Sequence, residues 1–150
     1  ACSEGLEELS KSKDRTEMIK CFMDNYKFCL SRHVPSAEFI SANFHDIMHY
    51  YGIYSNEIIS CKSQKEMVFV GHCFATIEVI EPKMYRIWVA DKSELKISAY
   101  NGARIIVDAL DYSSIIVDNN KDSYVTVYLY GQSTCCGANK IVQKGDSYEI

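Results

Sequence analysis

From residue 73 to residue 133 the chain repeats one short pattern at an interval of ten residues. A β-branched aliphatic stands at the centre of each copy: Ile77, Ile87, Ile97, Val107, Val117 and Val127. Two residues before each stand Ala75, Tyr85, Leu95, Ile105, Ile115 and Val125, and two after stand Val79, Val89, Ala99, Ala109, Asn119 and Leu129. Four before come mostly small residues, Cys73, Lys83, Ser93, Ala103, Ser113 and Ser123, and four after come turn-formers, Glu81, Asp91, Asn101, Asp111, Lys121 and Gly131. A fixed period of this kind is the signature of a stacked array.

The period is even, and a strand alternates faces with period two. Every copy therefore keeps its odd-numbered residues on one face, small and aliphatic, and its even-numbered residues on the other, mixed and largely polar. Coils stacked in parallel preserve that parity automatically. An antiparallel meander is the alternative, but two-residue hairpins would invert the parity at each turn, so each link would need an odd loop. The solenoid is the better reading.

Coil length follows from geometry. Ten extended residues span about 33 Å, and two facing strands need about 10 Å between them for side chains. A ten-residue coil would spend most of its perimeter crossing that gap. Two decapeptides per coil leave room for strands and a core, and Lys140-Ile141-Val142-Gln143 is positioned to add a further strand. The outward residues then sort onto two faces. One carries Arg86, Trp88, Ala90, Ile106, Asp108, Leu110, Thr126, Tyr128 and Tyr130; the other carries Thr76, Glu78, Ile80, Lys96, Ser98, Tyr100, Ile116, Asp118 and Asn120. Asp108 and Asp118, at one repeat position, fall on opposite faces and read as solvated surface.

The preceding half has a different rhythm. Ile19, Phe22, Met23, Tyr26, Cys29 and Leu30 recur at three and four, as do Phe39, Ile40, Phe44, Ile47, Met48 and Tyr51. These stripes predict two amphipathic helices, over 16–31 and 35–50, with Pro35 and Glu38 in the first turn of the second and Gly52 as its C-cap. Met67-Val68-Phe69-Val70 is expected to be the first strand. A solenoid has open ends that terminal units must cover, so the helical hairpin is read as the N-terminal cap. The expected organisation is α+β: residues 1–60 as a helical cap segment and residues 61–150 as a short parallel β-helix with two decapeptides per coil.

Chemistry is less legible. His45-Asp46-Ile47-Met48-His49 resembles the HExxH zinc pattern with Asp for Glu, but a catalytic zinc needs a third protein ligand and a positioned base, and none is evident. A solvated helix face is preferred, with His45 and His49 as the metal-binding or hydrolase alternative. A helix-turn-helix DNA reader is a further alternative. The polar positions of the second helix (Ser36, Ser41, Asn43, His45, Asp46 and His49) hold no arginine or lysine, and a net charge of −4 provides no electrostatic footprint for nucleic acid. No GxSxG elbow, P-loop or GxGxxG is present, and no cofactor is expected. No apolar run is long enough to cross a membrane, and no signal peptide is visible. The seven cysteines are odd in number and irregularly spaced, which suits reduced, buried thiols in a cytoplasmic protein. Cys135-Cys136 reads either as a turn or as a redox or metal pair.

The array, with the preceding Val-Pro-Ser-Ala-Glu-Phe-Ile, Tyr-Gly-Ile-Tyr and Val-Phe-Val-Gly-His-Cys, resembles short uncharacterised proteins of gut Bacteroides-group bacteria and their phages. Those carry a helical segment before decapeptides of the form Ser/Ala-x-Val-x-Val-x-Ala-x-Asp/Gly-Asn. The resemblance covers Lys83 to Ser133 and, more weakly, residues 20–73. It implies an intracellular role linked to a phage or mobile element, and no known activity. Lys83, Asn119 and Lys121 depart from the pattern and mark expected irregularities. The function expected is a non-enzymatic structural or interaction module. It would self-associate, or hold a protein partner, through Trp88, Ile106, Leu110, Tyr128 and Tyr130, because such a strip rarely stays wet on a monomer.

Overall fold

The computed structural model describes residues 15–119 and 122–145. Among these residues, helices α1 (Arg15–Asp24), α2 (Tyr26–Arg32) and α3 (Ala37–Phe44) and a short 3₁₀ helix (Met48–Tyr51) precede eleven strands. Six of these form one parallel sheet in the order β1 (Ile53–Ser55), β3 (Glu66–Val70), β5 (Met84–Val89), β7 (Arg104–Ala109), β9 (Tyr124–Tyr130) and β11 (Lys140–Gly145). The other five form a second parallel sheet in the order β2 (Ile58–Lys62), β4 (Phe74–Val79), β6 (Glu94–Ala99), β8 (Ser114–Asn119) and β10 (Thr134–Cys136). The chain passes from one sheet to the other at every corner, so the molecule is a parallel β-solenoid with a helical cap.

Two decapeptides make one coil. Val68 lies beside Trp88, Trp88 beside Asp108 and Asp108 beside Tyr128, a rise of twenty residues per coil. The odd residues point inward. Met67, Ile77, Ile87, Ile97, Val107 and Val127 are buried together between the sheets. The small slots also close: Cys73, Ser93, Ala103 and Ser113 are buried at the corners, where larger groups would not fit. Lys83 cannot enter such a slot. It stays exposed in a bend with Pro82, its ammonium 2.7 Å from Glu81, as its departure from the pattern predicts. Asn120 and Lys121 lie outside the described residues.

The solenoid starts earlier than the periodicity indicates. Strands β1 and β2 precede Met67, and their coil is shorter: Ile53 pairs with Val68 and Ile58 with Phe74. A coil of fifteen or sixteen residues cannot carry the ten-residue period, so the pattern does not reveal it. The far end is also short, with Tyr128 beside Val142, and 140–143 is strand as expected.

Both helical predictions need correction. The 16–31 stripe is broken at Asn25, whose side-chain amide donates to the Cys21 carbonyl (2.8 Å) and competes with the helical ladder. The second helix starts later than Pro35: Ser36 is the N-cap, and its hydroxyl accepts from the Phe39 N–H (3.2 Å). The Val34–Pro35 bond is cis. Asn43 donates back to the Phe39 carbonyl (2.9 Å), α3 ends at Phe44, and the chain re-forms only as the 3₁₀ turn. Gly52 does cap that turn at φ 78, where a Cβ would strike the Glu66 carbonyl oxygen.

The cap does more than close an end. Residues of α3 hold the edge strand β1, with the Ser55 hydroxyl donating to the Ala37 carbonyl (2.7 Å) and Ser41 donating to the Ser55 carbonyl (3.0 Å). The helices also lie along the outer face of the first sheet. Ile19, Phe22, Leu30, Ile40 and Phe44 bury Val68, Val70, Trp88, Ala90 and Leu110 in a second core.

Candidate functional site

The five residues of the predicted interaction face lie on the outer side of the first sheet, and the structure divides them. Trp88 and Leu110 are buried beneath the protein's own helices. The Trp88 ring meets Tyr26 at a centroid distance of 4.2 Å, and the Arg86 guanidinium sits 5.2 Å from its centre. The expectation that this strip waits for another subunit is therefore corrected at these two positions. The hairpin covers them because it reaches past the end of the stack. Ile106, Tyr128 and Tyr130 remain half-buried beyond its edge, with the Lys144 ammonium 5.4 Å from the Tyr128 ring.

Asp108 is a second correction. It is outward-facing but buried, with only 4 % of its side chain exposed, and its carboxylate lies 2.6 Å from the Arg86 guanidinium. Helical cover over this part of the sheet excludes the water that the sequence reading assigned to it. Asp118, on the second sheet, is exposed as expected.

The histidine pair does not form one helical face. His45 follows the end of α3, and His49 belongs to the 3₁₀ turn. His49 stacks on Tyr54 and turns its Nε2 to Glu57 (2.7 Å). Asp46, the residue in the base position of the pattern, forms two hydrogen bonds with Arg15 (2.7 and 2.8 Å), and this holds its carboxyl below the usual range. None of the three converges on a shared point.

A different histidine does meet carboxylates. His33 ends α2 in the left-handed region (φ 56). Its Nε2 lies 3.1 Å from Asp111 Oδ2 and 3.7 Å from Asp91 Oδ1. The two aspartates occupy equivalent corners of successive coils, after β5 and β7. Gly71, Asp91, Asp111 and Gly131 all take positive φ at this corner (72°, 59°, 58° and 63°). Each carboxylate reaches back one coil: Gly71 N–H donates to Asp91 Oδ2 (2.6 Å) and Asp91 N–H to Asp111 Oδ2 (2.9 Å). Burial pushes the Asp91 carboxyl up, and the nearby Asp111 and Glu38 charges push the same way, against the Gly71 hydrogen bond and His33. The corner opens onto a cleft of about 330 Å³ between helices and solenoid, lined by Cys29, His33, Glu38, Asn56, His72 and Lys92 among others. Comparison of the chain with protein-family models, curated proteins and solved structures finds no match.

Cys29, Cys61 and Cys135 offer little reactivity. The described cysteines are free, and burial pushes Cys29, Cys61 and Cys135 up to about 11, where little thiolate exists near neutrality. Cys136 alone among them is exposed. Cys2 lies outside the described residues. Among the described residues no helix is long and apolar enough to cross a membrane.

A further surface feature is the outer face of the second sheet, which no helix among the described residues covers. Ile58 is 88 % exposed, Ile116 49 % and Phe74 43 %. Ile58 and Phe74 are registered neighbours, and Ile116 stands two strands further along. They share a shallow groove with Ser60, Thr76, Glu94 and Lys96. Among the described residues strand β2 is hydrogen-bonded on one side only, whereas β1, at the same end of the other sheet, is covered by α3 and the 3₁₀ turn.

Proposed function

We propose that this protein is a non-enzymatic interaction module that self-associates through the outer face of its second sheet. The observation that carries the reading is the exposure of Ile58, Phe74 and Ile116 on one face that no helix among the described residues covers. Large apolar groups exposed together on one face in this way mark a contact surface. A second copy of the chain is the occupant that fits, because the face carries both charge signs in adjacent rows. Lys62 stands beside Glu78, and Glu94 lies two residues from Lys96. A two-fold arrangement sets each patch against itself, which requires such self-complementarity. The free thiols support a reducing, intracellular setting. The likeness to decapeptide-repeat proteins of Bacteroides-group bacteria and their phages extends the reading to a role linked to a phage or mobile element. Light scattering on the full chain tests self-association. The wild type is expected to be dimeric at micromolar concentration, and Ile58→Lys with Phe74→Lys to be monomeric with an unchanged β signal. A monomeric wild type, or a double variant that still associates, overturns the reading.

A further inference from the structure

We infer that His33, Asp91 and Asp111 form a binding site for one divalent transition-metal ion of zinc's class, clasping the helical segment to two coils of the solenoid. Their donor atoms lie within 4.8 Å of one another. Zinc binds nitrogen and carboxylate oxygen at about 2.0–2.1 Å, so tetrahedral ligands stand roughly 3.3–3.4 Å apart. The distances from His33 Nε2 to the two carboxylates, 3.1 and 3.7 Å, bracket that value.

An ion pair alone accounts for less of this geometry. Nε2 carries at most one proton, which one carboxylate satisfies, and Asp91 Oδ1 is left beyond hydrogen-bond length. Two carboxylates against one imidazole also leave net negative charge in either protonation state of the histidine. A divalent ion balances it. Outer support of the kind metal ligands use is present at Asp91, where Gly71 N–H holds Oδ2 and leaves Oδ1 facing His33; Asp111 is held by Asp91 N–H at Oδ2, the oxygen that itself faces His33. The backbone N–H of His33 is tied to the carbonyls of Cys29 and Leu30, which fixes where the imidazole starts. One imidazole with two carboxylates suits zinc, and manganese less well, while magnesium prefers oxygen alone. Three protein ligands leave a fourth position for water.

The test is calorimetric titration of the full chain, thiols kept reduced, with zinc chloride. One equivalent is expected to bind. His33→Gln and Asp91→Asn are each expected to weaken it by at least the roughly 10–100-fold that follows loss of even an outer-shell partner. The Asp91→Asn variant keeps an oxygen for the Gly71 N–H, so it tests the charge without removing the corner hydrogen bond, and circular dichroism checks the fold of both variants. At a free concentration about 100 times the dissociation constant, the melting temperature should rise by about 5–10 °C. Replacing Cys135 and Cys136 by serine should change nothing. Absence of stoichiometric binding, wild-type affinity in both corner variants, or loss of binding in the serine variant instead would each overturn the assignment.

Discussion

Arg86 and Asp108 are a pair in which the two single deletions should cost very different amounts. Their contact is 2.6 Å, but Arg86 is 33 % exposed and Asp108 only 4 %. Arg86→Met strands a carboxylate that cannot reach water. Breaking a buried pair this way costs about 3–5 kcal/mol, and the low end applies because Asp108 keeps other interactions. Asp108→Asn keeps the volume and one acceptor oxygen, while the guanidinium can turn to solvent. It exchanges a charge-assisted bond of about 1.5–3 kcal/mol for a neutral one of about 1 kcal/mol, a loss of about 1 kcal/mol. At ~2–4 °C per kcal/mol for a chain of this size, Arg86→Met should lower the melting temperature by about 6–12 °C and Asp108→Asn by about 2–4 °C. The double variant should be less damaged than Arg86→Met alone. Thermal unfolding followed by circular dichroism measures all three, and the one tryptophan of the chain, Trp88, reports from beside the pair. Equal costs, or a greater cost for Asp108→Asn, would refute the reasoning from unequal burial.

Val107→Asp places a charge in the fully buried inner row and should unfold the solenoid, whereas Asp118→Asn on the open face should stay within about 0.5 kcal/mol of wild type in denaturant titration. The buried Ser113 hydroxyl has no hydrogen-bond partner among the described residues, so Ser113→Ala should be neutral or slightly stabilising. Ser93 donates to the Gly71 carbonyl and accepts from Cys73 N–H, so Ser93→Ala should cost about 1–2 kcal/mol by the same titration. Native alkylation at pH 8 should modify Cys136 well before Cys61, and the Cys61 rate should climb between pH 8 and 11 as its raised thiol ionises; mass mapping that finds Cys61 first contradicts this.

The decapeptide pattern makes the solenoid legible because strand parity is a local property. Ile77, Val107 and Val127 announce their face by spacing alone, and perimeter arithmetic sets the coil at two repeats. Parity says which side of a coil a residue occupies but not what covers that side. That is why parity alone leaves Asp108 to solvent and Trp88 to another subunit, when helices of the same chain cover both. The helix limits fail at Asn25 and Asn43, where side chains compete for the carbonyls one turn back. The His33 corner is invisible for a further reason. Its partners stand 58 and 78 residues away, and aspartate at 91 and 111 looks like ordinary turn chemistry. The one signal in the sequence is that Asp91 and Asp111 sit between Gly71 and Gly131 at the same corner of successive coils.

The twenty-residue coil constrains how such a chain can change length. Removing a single decapeptide would advance everything after it by half a turn. Tyr128 and Tyr130 would move onto the sheet that carries Lys96 and Ile116, while the inner row stayed aliphatic and the core stayed intact. The product would be a folded solenoid with its two faces exchanged beyond the cut, its second core deprived of partners wherever the cut fell beneath the helices. Inward packing thus tolerates a step of ten, but the helical segment reads the phase of the winding and admits only steps of twenty.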